Sequence, residues 1–172
     1  MAVTITPVDL ERARKVAATV HDPEMPMLTL ADLGVLRDVA SVGSAVVVTI
    51  TPTYSGCPAM ATIRADLVVA LHAAGFDDVD VRTALDPPWS TDWISADGRR
   101  ALTEHGIAPP GPAPARSAGP VALTLAAPSR TTHCPLCGSA DTQETSYFGS
   151  TACTALHQCR RCGEPFARVK EI

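Results

Sequence analysis

Aromatic residues, long apolar runs and clusters of basic residues are all scarce in this 172-residue sequence. Only 4% of the residues are Phe, Trp or Tyr, so few side chains are available to stack on nucleotide bases. The 14 Lys and Arg residues are outnumbered by 18 Asp and Glu residues, and no stretch carries the dense basic run that a nucleic-acid-binding surface needs. We therefore expect no nucleic-acid partner.

A membrane-spanning or exported protein is not expected either. No apolar run approaches the ~20 residues that cross a bilayer. Charged side chains interrupt the N-terminal stretch where a signal peptide needs an unbroken apolar segment, at Asp9, Glu11, Arg12, Arg14 and Lys15. We expect a cytoplasmic protein with no membrane partner, and in that reducing compartment the six cysteines favour metal ligands or a reactive thiol over disulfides.

A change in composition divides the chain. Residues 107–130 contain six prolines set among alanines and glycines, a composition typical of a linker and poor for a packed core. We predict three segments: an α+β domain over residues 1–106, a Pro/Ala-rich linker over residues 107–130, and a zinc ribbon over residues 131–172.

The first segment is predicted to fold as a small α+β domain with a mixed three-stranded sheet and helices on one face. Thr6 and Pro7 are typical of an N-cap followed by the first residue of a helix, with Asp9 in its first turn. Two β-branched runs around Gly43 predict a hairpin. The predicted elements are a helix to Val20, strands over Leu33–Ser41, Ala45–Thr51 and Val79–Ala84, and helices over Pro58–Ala74 and Ala96–His105.

Two Cys-x-x-Cys pairs near the C-terminus form the strongest motif in the chain. Cys134 and Cys137 are separated from Cys159 and Cys162 by 21 residues, close to the spacing of zinc ribbons. Four thiolates close a tetrahedral shell and leave no position for water, so we predict a structural zinc. The same thiolates suit a single iron, and the spacing does not separate the two metals. Cys153 is interpreted as a buried small residue, with a role as an alternative ligand left open.

Cys57 stands alone in the first segment, between a predicted strand and a predicted helix. If Pro58 is the first helical residue, the partial positive charge and free N–H groups of the helix start would lower the thiol pKa and favour a nucleophile or a soft-metal ligand. A packed structural cysteine is the competing interpretation. Asp22, in the Pro-containing turn after the first helix, is interpreted from the sequence as a solvated or capping acid, with a metal-binding or orienting pair of Asp22 and Glu24 left open.

Longer motifs are specific enough to indicate a family. Residues His21–Leu28, Asp32–Asp38 and Ile50–Ala59 resemble the iron–sulfur assembly family that includes the bacterial SufT-like proteins. The stretch Phe148–Cys153, followed by Cys159–Phe166, resembles the PaaD family of the phenylacetyl-CoA epoxidase system. The resemblance extends over nearly the whole chain apart from the predicted linker.

The resemblance implies an accessory role in aerobic phenylacetate degradation, where the di-iron oxygenase and the flavin and iron–sulfur reductase are other subunits. It implies assembly or transfer of an iron–sulfur cluster, with Cys57 as the functional thiol that transiently holds iron or a cluster and Asp22 as its companion. The oxygenase and reductase subunits are the expected partners. Iron–sulfur scaffold proteins are further candidates, and a homodimer would supply a second thiolate.

The sequence itself fits an accessory protein better than an enzyme. It has no paired Glu-x-x-His motifs for a di-iron centre, no Gly-rich dinucleotide-binding loop and no Cys-x4-Cys-x2-Cys motif of a plant-type cluster. The competing function is a non-catalytic adaptor that docks epoxidase components through its zinc ribbon. The two functions differ in whether Cys57 is needed.

Overall fold

The computed structural model describes residues 9–54, 56–114 and 131–172. The chain divides into two compact units, Met1–Ala101 and Leu102–Ile172, and each has its own sheet. The class is α+β with a mixed three-stranded sheet and a C-terminal ribbon, as the sequence predicted.

The first unit begins with helix α1 (Leu10–Ala18), which is capped by the Asp9 carboxylate accepting the N–H of Arg12 at 3.0 Å. Thr6 and Pro7, the predicted N-cap and first helical residue, lie outside the described residues. The placement of Asp9 inside the first turn is wrong, because its short side chain caps the helix instead. The helix also ends at Ala18, two residues before the predicted end.

The sheet of the first unit has the strand order β1-β2-β3. Strands β1 (Leu36–Val42) and β2 (Ala45–Ile50) form the predicted antiparallel hairpin, and β3 (Val79–Thr83) pairs parallel to β2. Helix α2 (Met60–Ala73) connects β2 to β3. It is followed by Gly75 at a φ of +85°, a left-handed conformation that glycine adopts without strain.

The core of the first unit lies between this sheet and the two helices that contact it. Its buried apolar side chains include Ala13 and Ala17 of α1, Val46, Val48 and Ile50 of β2, and Ile63, Leu67 and Leu71 of α2. Trp89 is also buried, and its indole N–H donates to the carbonyl oxygen of Leu33 at 3.0 Å. This hydrogen bond holds the chain after β3 against the segment that precedes β1. Helix α3 (Ala96–Glu104) follows.

The second unit contains a four-stranded sheet with the order β4-β7-β6-β5. Strands β5 (Thr142–Ser146), β6 (Thr154–Cys159) and β7 (Pro165–Val169) are antiparallel neighbours, and β4 (Ile107–Ala108) pairs parallel to β7. The linker prediction did not anticipate β4, because a two-residue strand carries no periodic signal. Residues 115–130 of the predicted linker lie outside the described residues.

Candidate functional site

The two Cys-x-x-Cys-Gly sequences form two matching turns. In the first, the N–H of Gly138 donates to the carbonyl oxygen of Cys134 at 2.9 Å, and in the second, the N–H of Gly163 donates to that of Cys159 at 2.9 Å. Both glycines have positive φ values, +71° and +81°. The left-handed glycine lets the chain reverse directly after the second cysteine of each pair, so both sulfurs of a pair face the same side.

The four sulfurs of these turns converge on one point. All of them lie within 4.8 Å of one another, and together they are the one converging group of three or more metal-ligating side chains among the described residues. The Sγ atoms of Cys134 and Cys162 are 3.8 Å apart, and those of Cys137 and Cys159 are 3.6 Å apart. A tetrahedron of sulfurs at about 2.3 Å from a zinc ion has edges of about 3.8 Å. The donor set therefore fits a four-thiolate ion.

The electrostatics of the cluster agree with this fit. The backbone N–H of Cys162, as the largest effect, lowers the pKa of the Cys159 thiol to about 7. For Cys162 the backbone N–H of Glu164 lowers the thiol pKa, but burial and the adjacent thiols outweigh it and raise the pKa to about 12. Sulfurs this close cannot all carry a negative charge unless a cation lies between them. A bound divalent ion would supply that charge and complete the fold of the ribbon.

Cys153 and His157 do not belong to the four-cysteine group. Cys153 is buried, and its sulfur lies 3.1 Å from the hydroxyl oxygen of Thr151. His157 is buried and stacked on Phe166, and its two ring nitrogens have no hydrogen-bond partner in the described part of the chain. Burial, with the nearby charge of Arg168, lowers the pKa of His157, so this imidazole is neutral near pH 7.

Cys57 is half-buried and lies in the turn that leads into α2. Its N–H donates to the carbonyl oxygen of Tyr54 at 3.2 Å, and its own carbonyl oxygen accepts the N–H of Met60 at 3.4 Å. The predicted helix start at Pro58 is wrong by two residues: the helix begins at Met60 with Ala59 as its N-cap, because this three-residue turn precedes the first helical hydrogen bond. Cys57 therefore precedes the free N–H groups of the helix start and does not lie among them.

Asp22 caps a turn. Its side chain is buried, and one carboxylate oxygen accepts the N–H groups of Glu24 and Met25, each at 2.8 Å. Burial, with the charge of Asp22, raises the pKa of Glu24. Neither Asp22 nor Cys57 belongs to a converging group of three metal-ligating side chains among the described residues.

Sequence reasoning missed one group that the fold brings together in the second unit. The ammonium group of Lys170 lies 3.9 Å from the centre of the Tyr147 ring, and Tyr147 and the adjacent Phe148 are exposed. Two neighbouring aromatic residues in an aromatic-poor chain were the available signal.

No helix in the described parts of the chain combines the length and apolar character that crossing a membrane requires.

Comparisons with known proteins place these two units in a class. Residues 118–170 match the family described as the PaaD zinc beta ribbon domain, and residues 11–83 match the family described as iron–sulfur cluster assembly protein. Solved structures similar to the chain include a domain of unknown function, DUF59, from Bacillus anthracis (28% identical, TM-score 0.49, covering 54% of this chain and 90% of that one). Another is a conserved hypothetical protein from Thermotoga maritima (25% identical, TM-score 0.47, covering 58% and 98%).

The two family matches define the class: an iron–sulfur-assembly-type domain followed by a zinc ribbon. The chain is also 41% identical over 169 residues to a protein of Escherichia coli (strain K12) that is provisionally named as a subunit of 1,2-phenylacetyl-CoA epoxidase, and the match covers 98% of this chain and 97% of that protein. The chain belongs to the PaaD family, as the sequence motifs indicated.

Proposed function

We propose that this protein is an accessory subunit of a phenylacetyl-CoA 1,2-epoxidase system that assembles an iron–sulfur cluster or transfers one to the reductase or oxygenase component. Cys57 is the thiolate that holds the iron or cluster in transit, and Asp22 is its companion. Transfer here is an exchange of ligands: the thiolate bond to iron breaks as a ligand of the client forms one. The protein itself catalyses no step of the epoxidation.

The accessibility of the six cysteines carries this proposal. Four are committed to the ribbon cluster, and Cys153 is buried. Cys57 is the cysteine outside the cluster that is not fully buried, and a cargo ligand has to be reached by both donor and client. It lies in a turn before α2, and not within a strand or helix, and binding residues are disproportionately found on such connecting segments.

A single thiolate also suits a carrier chemically. Iron–sulfur clusters are normally held by several cysteines, so one thiolate binds weakly and releases its cargo readily. A second copy of this chain, an iron–sulfur scaffold protein or the client would supply the other ligands. The Asp22 carboxylate fixes the backbone of residues 22–25 through the turn that it caps, and its part as companion of Cys57 is proposed from the match of residues 11–83 to the iron–sulfur cluster assembly family.

The test compares Cys57→Ser with Cys153→Ser as a matched control that removes a buried thiol. Both variants are expected to purify anaerobically with about one zinc per chain, whereas substoichiometric iron is expected in wild type and Cys153→Ser but not in Cys57→Ser. In cells, Cys57→Ser should leave the reductase without its full cluster content. A fully loaded reductase in Cys57→Ser cells would refute the carrier role.

A purely structural adaptor is the second candidate function, and the exposed aromatic residues of the ribbon favour it. An adaptor needs the ribbon but not the thiol. It predicts full epoxidase activity with Cys57→Ser and loss of activity when residues 131–172 are removed, so the same strains separate the two functions.

A further inference from the structure

The loop between β5 and β6 carries two adjacent aromatic side chains that project into solvent. Tyr147 is 59% exposed and Phe148 is 72% exposed. Their rings meet edge to face, with centroids 5.4 Å apart and an interplanar angle of 87°. We call these two side chains the aromatic tip. Aromatic residues in such positions are enriched in the cores of protein interfaces.

A buried lysine lies under the aromatic tip. Lys170 is only 9% exposed, and its ammonium nitrogen lies 3.9 Å from the centre of the Tyr147 ring and 5.1 Å from that of Phe148. The same ammonium donates to the carbonyl oxygen of Ala152 at 2.8 Å. Burying an ammonium group is costly, and these contacts offset the cost while fixing both rings relative to the loop.

The backbone of the loop is held as well. The Ser146 hydroxyl oxygen accepts the N–H of Phe148 at 3.2 Å, and the N–H of Gly149 donates to the carbonyl oxygen of Thr154 at 2.9 Å. A Cβ atom at Gly149 would lie 2.3 Å from Thr154 Oγ1, so this close approach requires glycine. Rings that are already fixed lose little conformational freedom when a partner buries them.

We infer that the aromatic tip is the anchor by which this protein docks on a subunit of the epoxidase system, with both rings entering a concave apolar pocket rimmed by carboxylates. The identity of the partner class rests on the proposed function. The concave shape of the partner's pocket is inferred from the aromatic tip, because side chains that project from the end of a hairpin are buried best in a concave surface. The negative charge of the partner's rim is inferred from Lys170, because an acidic rim complements the ammonium beneath the rings. The loop from Ser146 to Thr154 has no charged residue of its own.

A second copy of this chain is a poorer occupant. Two aromatic tips packed face to face would bring two Lys170 ammonium groups into one desolvated contact, and like charges repel most strongly where water is excluded. The same charge strengthens the contact with a carboxylate-rimmed pocket.

The test measures binding of the full, zinc-loaded chain to separately purified oxygenase and reductase subunits by titration calorimetry. Wild type is expected to bind at least one subunit, and the double variant Tyr147→Ser/Phe148→Ser should bind it at least about 30-fold more weakly, the effect of losing an interface hot spot. Val69→Ser is the matched control, since it removes an apolar side chain that is 66% exposed in the other unit; it should bind like wild type. Zinc content and circular dichroism establish that each variant is folded.

Wild-type affinity in the folded double variant, or no binding of wild type to any subunit, would overturn the inference. So would a change from dimer to monomer in the double variant by light scattering, which would assign the tip to a second copy. Cys57→Ser is included to separate this inference from the proposed function, and it should dock with wild-type affinity. If Cys57→Ser fails to deliver the cluster but the double variant docks normally, only the role of the aromatic tip is refuted. If the double variant docks weakly but Cys57→Ser delivers the cluster normally, only the role of the thiol is refuted.

Discussion

The hydroxyl of Ser95 donates a 2.6 Å hydrogen bond to the carboxylate of Asp32, although 63 positions separate the two residues. The same Ser95 oxygen accepts the N–H of Gly98 at 2.9 Å and so caps α3. The other carboxylate oxygen of Asp32 accepts the hydroxyl of Thr29 at 2.7 Å. These hydrogen bonds, that of Ser95 first, stabilise the ionised carboxylate and lower the pKa of Asp32 from its usual 3.8.

Asp32→Asn is therefore expected to destabilise the first unit by about 1–2 kcal/mol at pH 7, the difference between charged and neutral hydrogen bonds. Because the folded pKa is depressed, this contribution is fully present above pH 3.8 and is lost as the pH falls through the lower folded value. Urea unfolding followed by Trp fluorescence at several pH values measures the loss of stability, since both Trp residues lie in the first unit. Asp38→Asn, at an exposed ion pair with Arg14, is the control and should change stability by less than about 0.5 kcal/mol. If the stability lost in Asp32→Asn stays constant down to pH 2, the loss does not come from the ionised carboxylate.

Gly34→Ala should be far more damaging than Gly43→Ala. Both glycines have positive φ values, +73° and +63°, so either substitution carries a backbone cost of about 1–2 kcal/mol. A Cβ at Gly34 would also lie 2.6 Å from the Cβ and 2.8 Å from the carbonyl oxygen of Trp93, while one at Gly43 meets nothing within 4 Å. We expect a total loss above about 3 kcal/mol at Gly34, measured as the difference between the two variants in thermal or urea unfolding. Equal losses would show that Trp93 moves aside freely.

Removal of the metal should unfold the ribbon and spare the first unit. A structural four-thiolate zinc contributes the folding energy of a small module, so chelation is expected to abolish amide protection across residues 131–172 in hydrogen exchange. Trp fluorescence should change little, because both Trp residues lie in the other unit. Cys159→Ser should reproduce the effect without a chelator, whereas Cys153→Ser should keep about one zinc per chain. Retained zinc in Cys159→Ser would contradict the assigned ligand set.

His157→Phe is expected to leave ribbon stability unchanged or to raise it by up to about 1 kcal/mol. The wild-type imidazole buries two ring nitrogens that have no hydrogen-bond partner among the described residues, and replacing an unsatisfied polar group by an apolar one of similar shape removes its desolvation cost. The new ring would stack on Phe166 as the imidazole does, with centroids 5.6 Å apart in wild type. The midpoint of zinc-loaded thermal unfolding measures the effect. A clear loss of stability would mean that the imidazole makes a contact that phenylalanine cannot replace.

The sequence predicted best the features that short segments specify. Each Cys-x-x-Cys-Gly turn is complete within five residues, and the left-handed glycine closes it, so the four cysteines that cluster could be identified from their spacing. The hairpin at Gly43 and the end of α2 at Gly75 follow from glycine in the same way. The start of α2 was misplaced because Pro58 suits a turn as well as a first helical position, and the hydrogen bond from Met60 to Cys57 favours the turn.

Contacts between distant segments could not be predicted in this way. The hydrogen bond between Ser95 and Asp32, and the position of Lys170 beneath Tyr147, depend on how separate strands and helices are brought together. A single sequence carries no periodic signal for such pairs. The half-buried position of Cys57 could not be predicted for the same reason, because the exposure of its side chain depends on how the residues on both sides of the turn fold.

Strand β4 adds Ile107 and Ala108 to the free side of β7. A C-terminal fragment that starts at Thr131 would lack these residues and leave the backbone amides and carbonyls of β7 unpaired along one border. An unpaired strand edge of this kind pairs with strands of other molecules, so the fragment is expected to aggregate even when its metal site is filled. Any attempt to isolate the metal-binding tail should therefore retain the chain from before Ile107.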